Sequence, residues 1–141
     1  MSQVGALLLG LFLSFPSSFT ADIERAFLQK DARWLLARLP ADSPVSVALP
    51  EPISFSDQIS REQAYFLFRK IFRTYSTFEF FPEPNVFVSP KGDRAIFKAR
   101  WSFFDAGEKP FVFEAYFYFR SRPGGKGDVV WEIAEIKADR L

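Results

Sequence analysis

The spacing of hydrophobic positions changes character twice along the chain. At the start it has no period. Val4 to Phe15 (VGALLLGLFLSF) is an apolar run, Met1 to Ala21 carries no charged side chain, and Pro16, Ser17 and Ser18 follow. An apolar stretch, a helix breaker and small polar residues are the order of a secretory signal. A membrane-spanning helix needs about 20 predominantly apolar residues, and this run is shorter and broken by Pro16. Residues 1–21 are therefore expected to be a signal peptide or N-terminal hydrophobic segment. Cleavage would fall near Ser18-Phe19-Thr20 or Phe19-Thr20-Ala21. The Met-Ser-Gln start lacks Lys and Arg, which keeps a retained segment or uncleaved anchor open. The expected location is exported, periplasmic or extracellular, and 22–141 is expected to form one domain.

From Thr20 a helical period begins. Ile23, Ala26 and Phe27 share a face, with Asp22 and Glu24 in the first turn, where negative charge suits the helix dipole. Lys30-Asp31 interrupts it, and Asp31 can cap a second short helix carrying Trp34, Leu35 and Leu39 before Pro40. Val45, Val47 and Leu49 then alternate with Ser46 and Ala48 as a short strand does. Ser60-Arg61-Glu62-Gln63 is a capping box. The helix it opens sets Ala64, Leu67, Phe68, Ile71, Phe72 and Tyr75 on one face and Arg61, Glu62, Arg69, Lys70 and Arg73 on the other.

After Tyr75 the period becomes two. Strands are expected at about 77–81, 86–88, 95–104, 111–121 and 129–137, with turn-forming residues between them. Phe97, Ala99, Trp101 and Phe103 share one face against Lys98, Arg100 and Ser102. Phe111, Phe113, Ala115, Phe117 and Phe119 share one against Glu114, Tyr116, Tyr118 and Arg120. In the last strand Trp131 and Ile133 read as inward and Glu132 as outward. One apolar and one mixed face mark an antiparallel sheet covered on one side by helices. The class is α+β.

A loop at Asp105–Lys109 would pair Phe104 with Pro110, Arg100 with Glu114, Trp101 with Phe113 and Ala99 with Ala115. A symmetric next loop would pair Phe119 with Trp131 and Ala115 with Glu135, in the absence of a β-bulge. Ala99, Ala115 and Glu135 would then form a row beside Trp101 on the aromatic face. Two small residues leave room there, and a carboxyl in an apolar recess has a raised pKa suited to acid–base work. Glu135 is thus the candidate catalytic residue, and Ala99, Ala115, Trp101 and Glu135 the candidate pocket. The plainer alternative is a rim carboxylate, solvated or paired with a cation.

Composition narrows the chemistry. The chain of 141 residues has no cysteine and no histidine. Thiolate nucleophiles, disulfides, the usual triad and most zinc sites are out. No metal and no cofactor is expected. Nineteen phenylalanines and three tryptophans suffice to fill a core and argue against a large empty pocket. A net charge of +1 gives no nucleic-acid footprint, and Gly124-Gly125-Lys126-Gly127 lacks the helix a phosphate loop requires.

Three motifs in order carry a resemblance. They are Ala26-Phe27-Leu28-Gln29-Lys30-Asp31-Ala32 with Leu35 and Leu39, then Ser60-Arg61-Glu62-Gln63-Ala64 running to Ile71-Phe72, then Trp131-Glu132-Ile133-Ala134-Glu135-Ile136. Together they resemble the nuclear transport factor 2-like superfamily over about residues 21–141, most closely a branch of small exported bacterial proteins of unknown function. The resemblance implies a cone, cystatin-like in outline: an N-terminal helix pair and a long third helix on one face of a curved antiparallel sheet. Isomerase-type members use a pocket carboxylate with a tyrosine, and dehydratases often a His–Asp pair. This chain has no histidine, and Tyr116 and Tyr118 read as outward, so no catalytic residue carries over.

The expectation that follows is an exported, non-catalytic binding or interaction module. Its outer sheet face, with Tyr116, Tyr118, Phe104 and Val112, is expected to form the interface, either for a homodimer as in the superfamily or for an unknown envelope protein. The alternative is a small-pocket carrier or isomerase-like enzyme for an apolar molecule, using the pocket carboxylate.

Overall fold

Most of the local signals that the sequence carries place an element. The computed structural model describes residues 15–141, without the side chain of Lys126; most of the leader-like segment, residues 1–14, lies outside the described residues. Helix α1 spans Ser17–Leu28 and buries Ile23, Ala26 and Phe27. It starts earlier than the Thr20 expected, because Pro16 is its N-cap. Both expected cleavage positions fall inside α1. Phe15, just ahead of it, is buried against Phe119 and Trp131, at ring distances of 4.9 and 5.2 Å.

Helix α2 spans Arg33–Leu36 with Ala32, not the expected Asp31, as its N-cap; the Asp31 carboxylate still accepts the Arg33 backbone N–H at 3.0 Å. Strands β1 (Val45–Leu49) and β2 (Phe55–Ile59) form a hairpin. Helix α3, Arg61–Thr74, opens on the expected capping box: Ser60 Oγ accepts from Gln63 N at 3.2 Å, and Ser60 N donates to Gln63 Oε1 at 2.9 Å. It has 14 residues against 12 in α1, so no helix among the described residues is markedly long. Strands β3 (Ser76–Pro82), β4 (Phe87–Val88), β5 (Arg94–Phe104), β6 (Pro110–Pro123) and β7 (Val129–Arg140) follow.

The seven strands make one sheet in the order β2-β1-β7-β6-β5-β3, with β4 also on β5. The sheet is mixed rather than wholly antiparallel, because β1 runs parallel to β7, Ser46 beside Glu135. Each pairing expected between β5 and β6 is present: Phe104 with Pro110, Arg100 with Glu114, Trp101 with Phe113, and Ala99 with Ala115.

The register expected for β7 is wrong, and two physical causes add up. The loop is tighter than assumed, pairing Pro123 with Val129 and Ser121 with Trp131, which slides β7 by two residues and keeps its faces. A β-bulge then leaves Ala134 without an opposite number between the pairs Tyr118–Glu135 and Phe119–Ile133. One extra residue inverts the alternation from there on. Ile136, which strict alternation from Ile133 would put on the outer face, is buried inside; Ala138, not Glu135, lies opposite Ala115. The bulge adjoins the end of α2, where the Ile133 N–H donates to the Arg38 carbonyl at 2.8 Å.

The inner face is close-packed with Phe97, Trp101, Phe103, Phe113, Phe117, Phe119, Ile133 and Ile136, each under 2% exposed. Phe27 of α1 reaches onto it, with ring centroids 4.5 Å from Phe80, 4.9 Å from Trp101 and 5.8 Å from Phe117. Trp101 and Phe117 are the residues that flank the Ala99–Ala115 pair, so the space those alanines leave is taken by the Phe27 ring. Phe68 and Phe72 of α3 meet Phe27 at 6.2 and 5.1 Å.

Candidate functional site on the outer face of the sheet

Ser102 and Glu132 are the two polar side chains buried among the described residues, and both belong to the outer face. These buried polar groups are therefore on the face that alternation along β5, β6 and β7 turns away from the helices.

At its centre Tyr116 and Tyr118 stack along β6, centroids 6.4 Å apart and planes at 22°. Lys137 lies beside both rings at 5.6 and 5.4 Å, and Lys98 beside Tyr116 at 5.5 Å. A cation over an aromatic face is attracted by the ring quadrupole. Register puts them together, since Lys98 and Lys137 both stand opposite Tyr116. The Tyr118 hydroxyl holds the Lys137 ammonium above its ordinary pKa. Partial burial raises that of Tyr116, with the Glu114 carboxylate adding to it. Both groups keep their neutral-pH forms, phenol and ammonium, which suits binding better than proton transfer.

Toward the β3 edge the face becomes apolar again. Phe104 meets Phe78 at 4.4 Å with the ring planes tilted by 33°, and Arg100 lies over Phe81 at 5.5 Å. Phe78 and Phe81 are 51% and 62% exposed. Glu79 accepts Arg100 Nε at 3.0 Å and Ser102 Oγ at 3.1 Å. These hydrogen bonds hold the carboxyl below its ordinary 4.5. A depressed carboxyl contributes stability that is present above the unfolded value and lost as pH falls through the folded one. On acidification below 4.5 the native protein should lose this contribution. Arg100→Ala should return Glu79 toward its ordinary titration, read from its carboxyl carbon chemical shift.

Where β5, β6 and β7 meet at the other end, Glu132 is buried between two guanidinium groups, Arg120 Nε at 3.6 Å and Arg122 Nε at 3.3 Å. Arg120 also donates to Ser43 Oγ. Glu132 was expected outward; it faces outward, but the arginines and the chain before β1 cover it.

The structure places the expected interface residues Tyr116, Tyr118, Phe104 and Val112 together on the outer face. The expected pocket is not formed. Ala99, Ala115 and Trp101 are buried, Trp101 against the Phe27 ring at 4.9 Å, and Glu135 is half-buried on the opposite side of the sheet, across from Tyr118. Sequence reasoning missed Phe78, Phe81, the lysines on the tyrosines and the Glu132 cluster. The β5–β6 register already put Lys98 across from Tyr116, so that contact was findable. The bulge also had a signal: Ile133 and Ile136 are three apart and cannot share a face in a regular strand.

A separate cleft of about 510 Å³ lies between the start of α1 and the segment joining β3 to β5, lined by Phe15, Ser17, Thr20, Pro84, Asn85, Val86, Val88, Ser89 and Pro90. Its polar groups are hydroxyls and an amide. Among the described residues no group of acidic side chains could hold a metal ion.

No family model and no curated protein matches the sequence. Solved structures do. A ketosteroid isomerase-like protein from Erwinia carotovora atroseptica superposes with a TM-score of 0.64 at 15% identity, covering 88% of this chain and 92% of that one. The fold is that of the nuclear transport factor 2-like superfamily. A nuclear transport factor 2-like protein of unknown function in nutrient uptake from Rhodospirillum rubrum gives 0.63 at 12% identity, covering 89% and 97%. A DUF4783 family protein from Bacteroides ovatus gives 0.60 at 12%, covering 91% and 96%. At these identities the likeness concerns the nuclear transport factor 2-like cone alone, and its activities vary with the site grafted on it.

Proposed function

We propose that the protein is an exported, non-catalytic binding module that works through the outer face of its sheet, with a second copy of the chain as partner. The observation that carries this reading is the division of the two faces. The inner face is closed by Phe27 and its neighbours. The outer face leaves Phe78, Phe81 and Phe104 exposed beside the stacked tyrosines. Aromatic side chains with interspersed charge are what interface cores use. The charges are of both signs and near one another: Lys98, Arg100 and Lys137 against Glu114, Glu135 and Asp139. A two-fold copy would meet its own pattern reversed. The leader-like run Val4–Phe15 supports export.

Native mass spectrometry of the full chain tests this directly. Two copies are expected. Tyr116→Ala with Tyr118→Ala should weaken the dimer about 30-fold or more, the effect of losing a hot spot of about 2 kcal/mol. A monomer at high micromolar concentration would overturn the self-association.

The cleft beside Phe15 favours a second reading, a carrier of a small apolar molecule. Its volume is in the range of ligand sites. Its hydroxyl and amide groups can orient a ligand but do not titrate near neutrality, so a carrier suits it better than an isomerase. Mass beyond that of the protein in the same spectrum would support it.

A further inference from the structure

The two edges of the sheet differ. Strand β3 closes one side and is interrupted by a bulge between Thr77 and Glu79, a device that turns an edge away from further pairing. Strand β2 closes the other side, and its five pairs with β1 run without a break. With a neighbour on one side only, β2 leaves a row of backbone N–H and C=O groups without strand partners. Residues directly opposite on paired strands share a face. Val45, Val47 and Leu49 of β1 are buried, and Ile59, Asp57 and Phe55 stand opposite them. An acidic side chain therefore sits between two apolar ones on the helix side of an open edge.

These three side chains form one wall of a recess of about 410 Å³, and Phe66, Leu67 and Lys70 of α3 line the other. Phe66 is 59% exposed. Among the described residues, Asp57 and Lys70 are in no ion pair. The Asp57 carboxylate accepts the N–H of its neighbour Gln58 at 2.7 Å. A second copy of β2 is a poor occupant. In the antiparallel register that overlaps two such strands fully, the central Asp57 would face its own counterpart, and like charges directly opposite repel. An occupant with a cation at that position meets the opposite sign instead. Lys70 across the recess disfavours a segment that is basic throughout.

We propose that β2 and α3 form a docking groove for an extended peptide segment of another protein, added to the sheet as a strand antiparallel to β2. In an added strand, alternate side chains enter the recess. They stand opposite Ile59, Asp57 and Phe55, so the segment has the order apolar, any, basic, any, apolar. Main-chain hydrogen bonds to the free edge supply affinity, and the recess supplies the choice of side chains. An inward charge on an edge strand also keeps identical edges apart, so one residue both excludes a second copy and selects the partner. The groove lies on the helix side of the sheet edge, away from the tyrosines of the outer face. The inference goes beyond the dimer reading and does not rest on it.

The experiment is calorimetric titration of the full chain with blocked synthetic peptides of about seven residues, the length of one strand. The parent peptide carries valine, arginine and valine at alternate positions, with threonine between and around them. It is expected to bind. Replacing its arginine by glutamate should weaken binding about five-fold, the difference between a favourable and an unfavourable cross-strand charge pair. Asp57→Lys should reverse the preference and bind the glutamate peptide better, which a general loss of structure would not do. Phe66→Ser should weaken both peptides alike. Methylating the peptide nitrogens that face β2 should abolish binding. Each variant is checked for an unchanged thermal midpoint. No binding of the parent peptide at about 1 mM, a preference that Asp57→Lys leaves as it was, or full binding of the methylated peptide would overturn the proposal. So would loss of a dimer from native mass spectra on adding the peptide, which would make this edge an interface between copies of the chain.

Discussion

Replacing Phe27 by alanine should lower the free energy of unfolding by about 3–5 kcal/mol, the range for truncating a buried aromatic side chain. The ring is 1% exposed and lies among Phe68, Phe72, Phe80, Trp101 and Phe117. Ala99 and Ala115 beneath it cannot extend to close the gap, so the site should relax little. Urea unfolding measures the loss. Leu28→Ala is the control, because Leu28 is adjacent in sequence but 47% exposed and should change stability by about 0.5 kcal/mol or less. An apolar cavity of this kind stays dry and accepts small aromatic molecules, so benzene should raise the variant's thermal midpoint and leave the parent's unchanged. A cost under about 1 kcal/mol would mean that Phe27 does not fill the row, and would return the cone interior to consideration as a ligand site.

Phe27 also links packing to function. A cone of this fold can leave its interior open for a ligand or close it. This sequence spends a large aromatic residue of its first helix on closing it, opposite the two smallest side chains of the central strands. Among the surfaces that packing leaves free are the outer sheet face and the cleft at the start of α1.

Local signals in the sequence were legible wherever one residue type has one structural use. The capping box at Ser60 and Gln63, the alternation along β5 and β6, and the five-residue loop that sets Ala99 against Ala115 all stand as read. What could not be read was anything set by a contact distant in sequence. The parallel pairing of β1 with β7 joins residues about ninety positions apart, and no local pattern encodes it. The candidate site failed for a related reason. Placing Glu135 in the recess needed an unbroken strand, and a single unpaired residue, Ala134, sends every later side chain to the other face. Alternation fixes faces only between bulges. Phe104, Val112, Tyr116 and Tyr118 lie on the outer face as read, because their strands have a mutual register with no bulge.

Converting Arg120 and Arg122 together to methionine should destabilise the protein by about 3–5 kcal/mol, the cost of leaving a buried charge without its partners. The two guanidinium groups share one carboxylate whose side chain is 7% exposed, while their own are 36% and 49% exposed. The asymmetry determines which deletions are severe. Removing Glu132 leaves two arginines that can turn to water. Removing both arginines leaves a carboxylate that cannot. Each single arginine variant should cost well under half of the double, because the remaining guanidinium still answers the charge, so the pair should be strongly non-additive in a double-mutant cycle. Adding Glu132→Leu to the double variant should recover most of the loss, since an apolar side chain of similar bulk has no charge to strand. If the triple variant is no more stable than the double, the cost lies in lost arginine packing over the end of the sheet, and Glu132 is already solvated by another route.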